Sequence, residues 1–172
     1  RGKLALDGGG ALMNQGIHTV DLLLWLLGDV KQVYSQSRTA LHNIESEDTL
    51  VATLEFANGA LGTLEATTSV YPGYDRRVEI TGSEGTVISE RDRIIKADLK
   101  TPLPGGVQTQ ALDTNLSSSS PIVSDGSGHK RIVEDFINGI KTNGSPRCDG
   151  REGRRRQLAR VRLLAREEEQ LQ

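Results

Sequence analysis

Apolar positions along this chain follow two different periods. From Ala11 to Leu27, the residues Met13, Ile17, Val20, Leu24 and Leu27 recur at three- and four-residue steps, which is helical spacing. Leu22, Leu23, Trp25 and Leu26 make the second half apolar nearly all round, which predicts a buried helix. Gly28 ends it. The period then drops to two. Val33, Ser35 and Ser37 alternate with Tyr34, Gln36 and Arg38, and Leu50, Ala52, Leu54 and Phe56 alternate with Thr49, Val51, Thr53 and Glu55. Asn58-Gly59 is a hairpin turn, and the return strand passes through Leu61, Thr63, Glu65 and Thr67. Further strands are predicted over 77–81, 86–89 and 93–97, with a weaker one over 107–112. The expected fold is α+β: an open, largely antiparallel (mixed) sheet with helices packed on one face. The other face is left available.

The remaining segments fit one domain over residues 1–172. Asp7-Gly8-Gly9-Gly10 is a tight turn. Residues 115–128 are rich in Ser, Gly and Asp and read as a flexible loop. A helix is predicted from His129 to Thr142, with Ile132, Phe136 and Ile140 on one stripe, and Asn143-Gly144-Ser145-Pro146 stops it. A last helix begins near Asp149, where Asp149 and Glu152 have the spacing of a capping box.

Charge narrows the classes of partner. There are 21 Lys+Arg and 23 Asp+Glu, a net charge of −2, which gives no overall pull toward nucleic acid or an anionic membrane. Arg151, Arg154, Arg155, Arg156, Arg160, Arg162 and Arg166 precede Glu167 to Glu169, and without interleaved aromatics this run reads as a solvated face or as one that meets an absent domain. The longest apolar stretch, Leu22 to Leu27, is far too short to span a membrane. A single cysteine, Cys148, excludes an internal disulfide framework and leads to the expectation of a cytoplasmic protein.

The chemistry concentrates on the first helix. Asn14, His18 and Asp21 stand at i, i+4 and i+7, so they project from nearly one face. Polar groups on so apolar a helix need partners or a purpose. Histidine is the side chain suited to proton transfer near neutral pH. Asp21 can fix its tautomer, and Asn14 can hold the ring or a substrate hydroxyl. A structural histidine fits the same spacing. A metal site is the weaker alternative, because His42 and His129 lie on other elements without ligand spacing. No metal is expected. Tyr74 and Arg76, in the turn Tyr71-Pro72-Gly73-Tyr74-Asp75-Arg76-Arg77, are candidate substrate contacts, as is His129 after the Ser-rich loop. Their plain reading is a polar turn and an exposed helix start.

The segment Gly8 to Leu23 has the form G-G-G-x-L-x-[DN]-x-G-x-H-x-x-D. It resembles the Gfo/Idh/MocA oxidoreductase family. Glu47-Asp48-Thr49, Phe56 to Gly62, Val78 to Gly85, Glu134 to Ile137 and Asp149 to Arg155 are similar to that family's later segments, in order. The resemblance implies the C-terminal domain of a two-domain enzyme. An N-terminal Rossmann domain would bind NAD or NADP, and no cofactor is expected on this chain itself. Neither G-x-G-x-x-G nor the Glu-Lys-Pro stretch of the family's catalytic lysine occurs in these 172 residues. By position, His18 matches the family's catalytic histidine. It would take the proton from a sugar, inositol or related polyol hydroxyl as hydride leaves that carbon for the nicotinamide. Asn14 matches a position that is often Asp, and Asp21 would support His18. The implied assembly is a homo-oligomer, dimer or tetramer, through the sheet face. The isolated chain is expected to be inactive. A non-catalytic carbohydrate-binding or assembly module is the other reading.

Overall fold

The computed structural model of the chain describes residues 3–91, 93–109, 127–151 and 153–154. They divide into two compact units, Arg1–Ser69 with Ile122–Gln172, and Val70–Pro121.

The first unit is a helix on a sheet. α1, Leu4–Asp7, is a single turn. A π-helical segment, Leu12–Gly16, runs directly into α2, Ile17–Leu27. At the end of α2 the Gly28 N–H donates to Leu24 O at 3.0 Å. Asn58 Nδ2 donates to Leu27 O at 3.0 Å, so the hairpin turn satisfies a carbonyl that the helix leaves unpaired. β1 (Val30–Arg38), β2 (Thr49–Phe56) and β3 (Leu61–Thr67) form an antiparallel sheet in the order β1-β2-β3. Val33 pairs with Leu54, and Ala52 with Leu64. The turn between β2 and β3 is set by Gly59 at φ +88°, with Ala60 N–H donating to Asn58 Oδ1 at 3.0 Å.

Alternation decides what each sheet face does. Val33, Leu50, Ala52, Leu54, Phe56, Leu64 and Ala66 are buried, and they pack with Leu12, Val20 and Leu24 from the helical side. Fully burying a side chain such as Leu50 is worth roughly 1.5–3 kcal/mol. The opposite face carries Tyr34, Gln36, Val51, Thr53, Thr63 and Glu65, all exposed. A shallow depression of about 440 Å³ lies across that face.

α3, Ser127–Thr142, belongs to the same unit. Its sequence stripe is present, yet Ile132, Val133, Phe136 and Ile140 are exposed. Arg147 N–H donates to Asp135 Oδ2 at 2.8 Å, folding the following turn back on the helix.

The second unit is a meander of β4 (Arg77–Gly82), β5 (Gly85–Glu90) and β6 (Arg93–Leu99), again antiparallel. Ile80 pairs with Val87, and Val87 with Ala97. Arg91 in the β5–β6 turn is ion-paired with Asp75.

The architecture is α+β with antiparallel sheets, as the alternation indicates. Three details differ from the reading of the sequence. The strands pair as two three-stranded sheets, because 68–76, with Pro72 and Gly73, has no strand pairing to carry one sheet into the next. α2 is buried along one side only: Trp25 is 76% exposed and Leu26 44%, since a single sheet covers a single side of a helix. α3 begins at Ser127, two residues inside the segment read as a flexible loop. Residues 107–109, the described half of the weak strand expected over 107–112, form no strand; 110–112, the rest of that loop up to 126 and the last helix beyond 154 lie outside the described residues.

Candidate functional site

The helix carrying the candidate residues starts on a carboxylate. Glu47, in the loop before β2, accepts from Gly10 N–H through Oε2 and from Leu12 N–H through Oε1, both at 3.1 Å. Its main-chain oxygen accepts from Ala11 N–H at 2.9 Å. One residue thus satisfies three N–H groups at the opening of the helix, where an acid also meets the positive end of the helix dipole. The approach is so close that a Cβ on Gly10 would lie 1.8 Å from Glu47 O and 2.5 Å from Oε2. Only glycine fits there. Gly16, at the other end of the π-helical segment, lets the helix sit on β3: a Cβ there would be 3.0 Å from Ala66 Cβ.

Asn14 lies inside the π-helical segment. Its Nδ2 donates to Gly9 O at 3.1 Å and to Gly10 O at 3.0 Å. Both partners are carbonyls, so the amide orientation is fixed by chemistry. Among the described residues Oδ1 is the polar atom left over, and it is an acceptor. His18, one turn later on α2, is exposed, and its ring makes no hydrogen bond among the described residues. Asp21 is half-buried on the next turn. Asn14, His18 and Asp21 therefore follow one another along this stretch, His18 and Asp21 on α2 and Asn14 in a π-helical segment where the spacing predicts α-helix. Non-α turns of this kind recur at functional sites.

The other candidates are more scattered. Tyr74 (81% exposed) and Arg76 lie ahead of β4 in the second unit. His129 is exposed in the first turn of α3. Among the described residues no group of three or more His, Cys, Asp or Glu side chains is placed to hold a metal ion.

A second polar centre closes the loop between β1 and β2. Asp48 is fully buried. It accepts from Ala40, Leu41 and His42 N–H at 2.7, 2.8 and 2.9 Å. Burial alone would raise its pKa. The N–H groups of His42, Ala40 and Leu41 and the Ser69 hydroxyl outweigh burial, and hold the carboxyl well below the usual carboxylate range. His42 Nδ1 is 3.1 Å from Asp48 Oδ2 and 3.4 Å from Ser69 Oγ. Both contacts fall on the same ring nitrogen, so the histidine does not stand between acid and nucleophile as in a hydrolase triad. Neither Glu47 nor Asp48 stood out in the sequence except as the opening of a strand. The available signal was a pair of acids with no base beside them, twenty-five residues or more beyond the glycine turn and the helix start.

Residues 1–88 match the model of the GFO/IDH/MocA C-terminal domain. The chain belongs to this family. Among curated relatives of this Gfo/Idh/MocA chain, the oxidoreductase YrbE of Bacillus subtilis (strain 168) is 31% identical over 98 residues, 54% of this chain and 29% of YrbE. The myo-inositol 2-dehydrogenase of Thermotoga maritima is 29% identical over 90 residues, 49% of this chain and 27% of that protein. Among solved structures, the WlbA dehydrogenase of Bordetella pertussis, in complex with NADH and UDP-GlcNAcA, superposes with a TM-score of 0.76 at 34% identity. That match covers 96% of this chain and 45% of WlbA. The Gfo/Idh/MocA chain thus spans less than a third of these curated relatives and under half of WlbA. These relatives are an oxidoreductase and two dehydrogenases, one named for myo-inositol and one bound to NADH and a nucleotide sugar.

Proposed function

We propose that this chain is the substrate-binding and oligomerisation part of a cytoplasmic NAD(P)-dependent dehydrogenase acting on a hydroxyl of a sugar, inositol or related polyol. The observation that carries the reading is the exposed His18 ring, without a hydrogen bond among the described residues, four residues after Asn14, whose Nδ2 is tied to two carbonyls, on one helical stretch of a Gfo/Idh/MocA chain. A ring nitrogen of His18 takes the proton of the reacting hydroxyl. Asn14 Oδ1 accepts a hydrogen bond from a substrate hydroxyl and so orients it, without adding charge. Asp21 supports the ring, and Tyr74, Arg76 and His129 supply further substrate contacts.

Both described sheets are antiparallel, and among the described residues no glycine-rich turn joins a parallel strand to a helix. These residues do not fit a dinucleotide cradle. NAD or NADP is held mainly by residues outside this chain. What this chain contributes is confined to the proton and the substrate's hydroxyls, and alone it is catalytically silent. The exposed face of β1–β3, with Tyr34, Val51 and Thr63, is the surface through which two or four copies assemble.

That same exposed face also favours a second reading, a non-catalytic carbohydrate-binding or assembly module. The test is a panel of inositols, sugars and nucleotide sugars given with NAD+ or NADP+ to the complete polypeptide that carries this chain, read by nicotinamide absorbance. Reduction of the nicotinamide with a polyol in the panel supports the dehydrogenase. Carbohydrate binding without reduction supports the module.

A further inference from the structure

We propose that Glu47 is a positioning residue of the His18 site: through the glycine turn, it fixes Asn14 as a hydrogen-bond acceptor. The inference rests on the reading of His18 and Asn14 given above. Its basis is a continuous chain of contacts. The Glu47 carboxylate grips Gly10 and Leu12 N–H, and its carbonyl grips Ala11 N–H. With those amides fixed, the carbonyls of Gly9 and Gly10 are turned toward Asn14 and take both hydrogens of Nδ2. Gly10 O also accepts the Asn14 main-chain N–H at 3.0 Å. Asn14 is thereby tied to the turn by side chain and backbone, and among the described residues it is left one free polar atom, Oδ1. The site offers a substrate hydroxyl an acceptor, as a carboxylate would, but a neutral one. Two features make the arrangement specific to Glu47. Its two oxygens serve two different N–H groups, so the neutral isostere Gln cannot replace it: the Gln NH2 would face an N–H donor. Gly10 leaves no room for any side chain against Glu47.

The side-chain amide protons of Asn14 report on this directly. In the full 172-residue chain, isotopically labelled, they are expected to be slowed in exchange with solvent, because two carbonyls hold them. Glu47→Gln should speed their exchange about tenfold, the effect of losing one hydrogen bond to a charged group. The amides of Val20, Leu24, Leu50 and Phe56 should keep their wild-type rates. Gly10→Ala, which pushes Glu47 away from the turn, should have the same signature. Unchanged Asn14 exchange in both variants would overturn the proposal. So would an equal acceleration at Asn14 and at the four core amides, which would make Glu47 a general stabiliser only. His18→Ala breaks none of these contacts and should leave the Asn14 signal in place. A failure of the proton-acceptor reading is therefore distinguishable from a failure of this one.

Discussion

Gly16 lies where the His18-bearing helix meets β3, and replacing it by alanine measures how tightly that approach is made. The added Cβ would sit 2.9 Å from Leu12 Cδ1 and 3.0 Å from Ala66 Cβ. Leu12 is fully buried and Ala66 is 6% exposed, so neither has open space to move into. Overpacking of this kind costs about 1–3 kcal/mol. Alanine in place of glycine returns about 1 kcal/mol of helix propensity. The net expectation for Gly16→Ala is a destabilisation of up to about 2 kcal/mol, or a fall in Tm of up to about 8 °C for a chain of this length. Ala66→Gly opens the space from the other side, at a cost of about 1 kcal/mol for the strand glycine and the lost methyl. If the two methyls collide, the double variant is more stable than the sum of the singles by about 1 kcal/mol or more. Urea unfolding of the four proteins, followed by circular dichroism, supplies the cycle. Simple additivity within about 0.3–0.5 kcal/mol would refute the claim that the helix rests on β3 at this point.

Other outcomes follow from the same contacts. Asp48 has a folded-state pKa below its ordinary value of 3.8, so its stabilisation is complete above that value and is lost as pH falls below it. Acid unfolding of the wild type should therefore steepen below about pH 4, and Asp48→Asn should lower stability at neutral pH while flattening that acid dependence, as thermal melts across pH would report. His18→Ala removes an exposed ring with no hydrogen bond among the described residues, and its stability should stay within about 0.5 kcal/mol of wild type in the same melts. Val51→Glu places a charge opposite Glu65, its cross-strand partner on the exposed face of β1–β3. It should reduce self-association in sedimentation velocity, and wild type that sediments as a monomer at micromolar concentration would contradict assembly through that face.

Much of this fold was legible because a strand with one buried face must alternate. Leu50, Ala52, Leu54 and Phe56 are buried in the order the pattern sets, and Asn58-Gly59 closes the hairpin. The helix was legible for the same reason at a different period. Its degree of burial was not: Trp25 and Leu26 add to the apolar count, but they lie off the side of the helix that packs on β1–β3 and are exposed. The division into two sheets was also hidden, since alternation marks strands and not which of them pair. At the site, the spacing of Asn14, His18 and Asp21 is a local property and could be read directly. The role of Glu47 depends on Gly10, Ala11 and Leu12, far back in the chain, and that of Asp48 on a loop that folds Ala40, Leu41, His42 and Ser69 around it, which no periodic pattern encodes. Gly10 reads as a turn residue in the sequence, whereas the structure requires glycine there because Glu47 occupies the space of a side chain.

The central claim is that His18 receives the proton of the substrate hydroxyl. Its most direct test is kcat/KM for His18→Gln against wild type, across pH, in the complete dehydrogenase carrying this chain, with the polyol that reduces its nicotinamide. A lost general base should cost about 10²–10⁴-fold in rate at every pH where the wild type is active, while the melting temperature holds. Turnover within a few-fold of wild type would remove His18 from the chemistry.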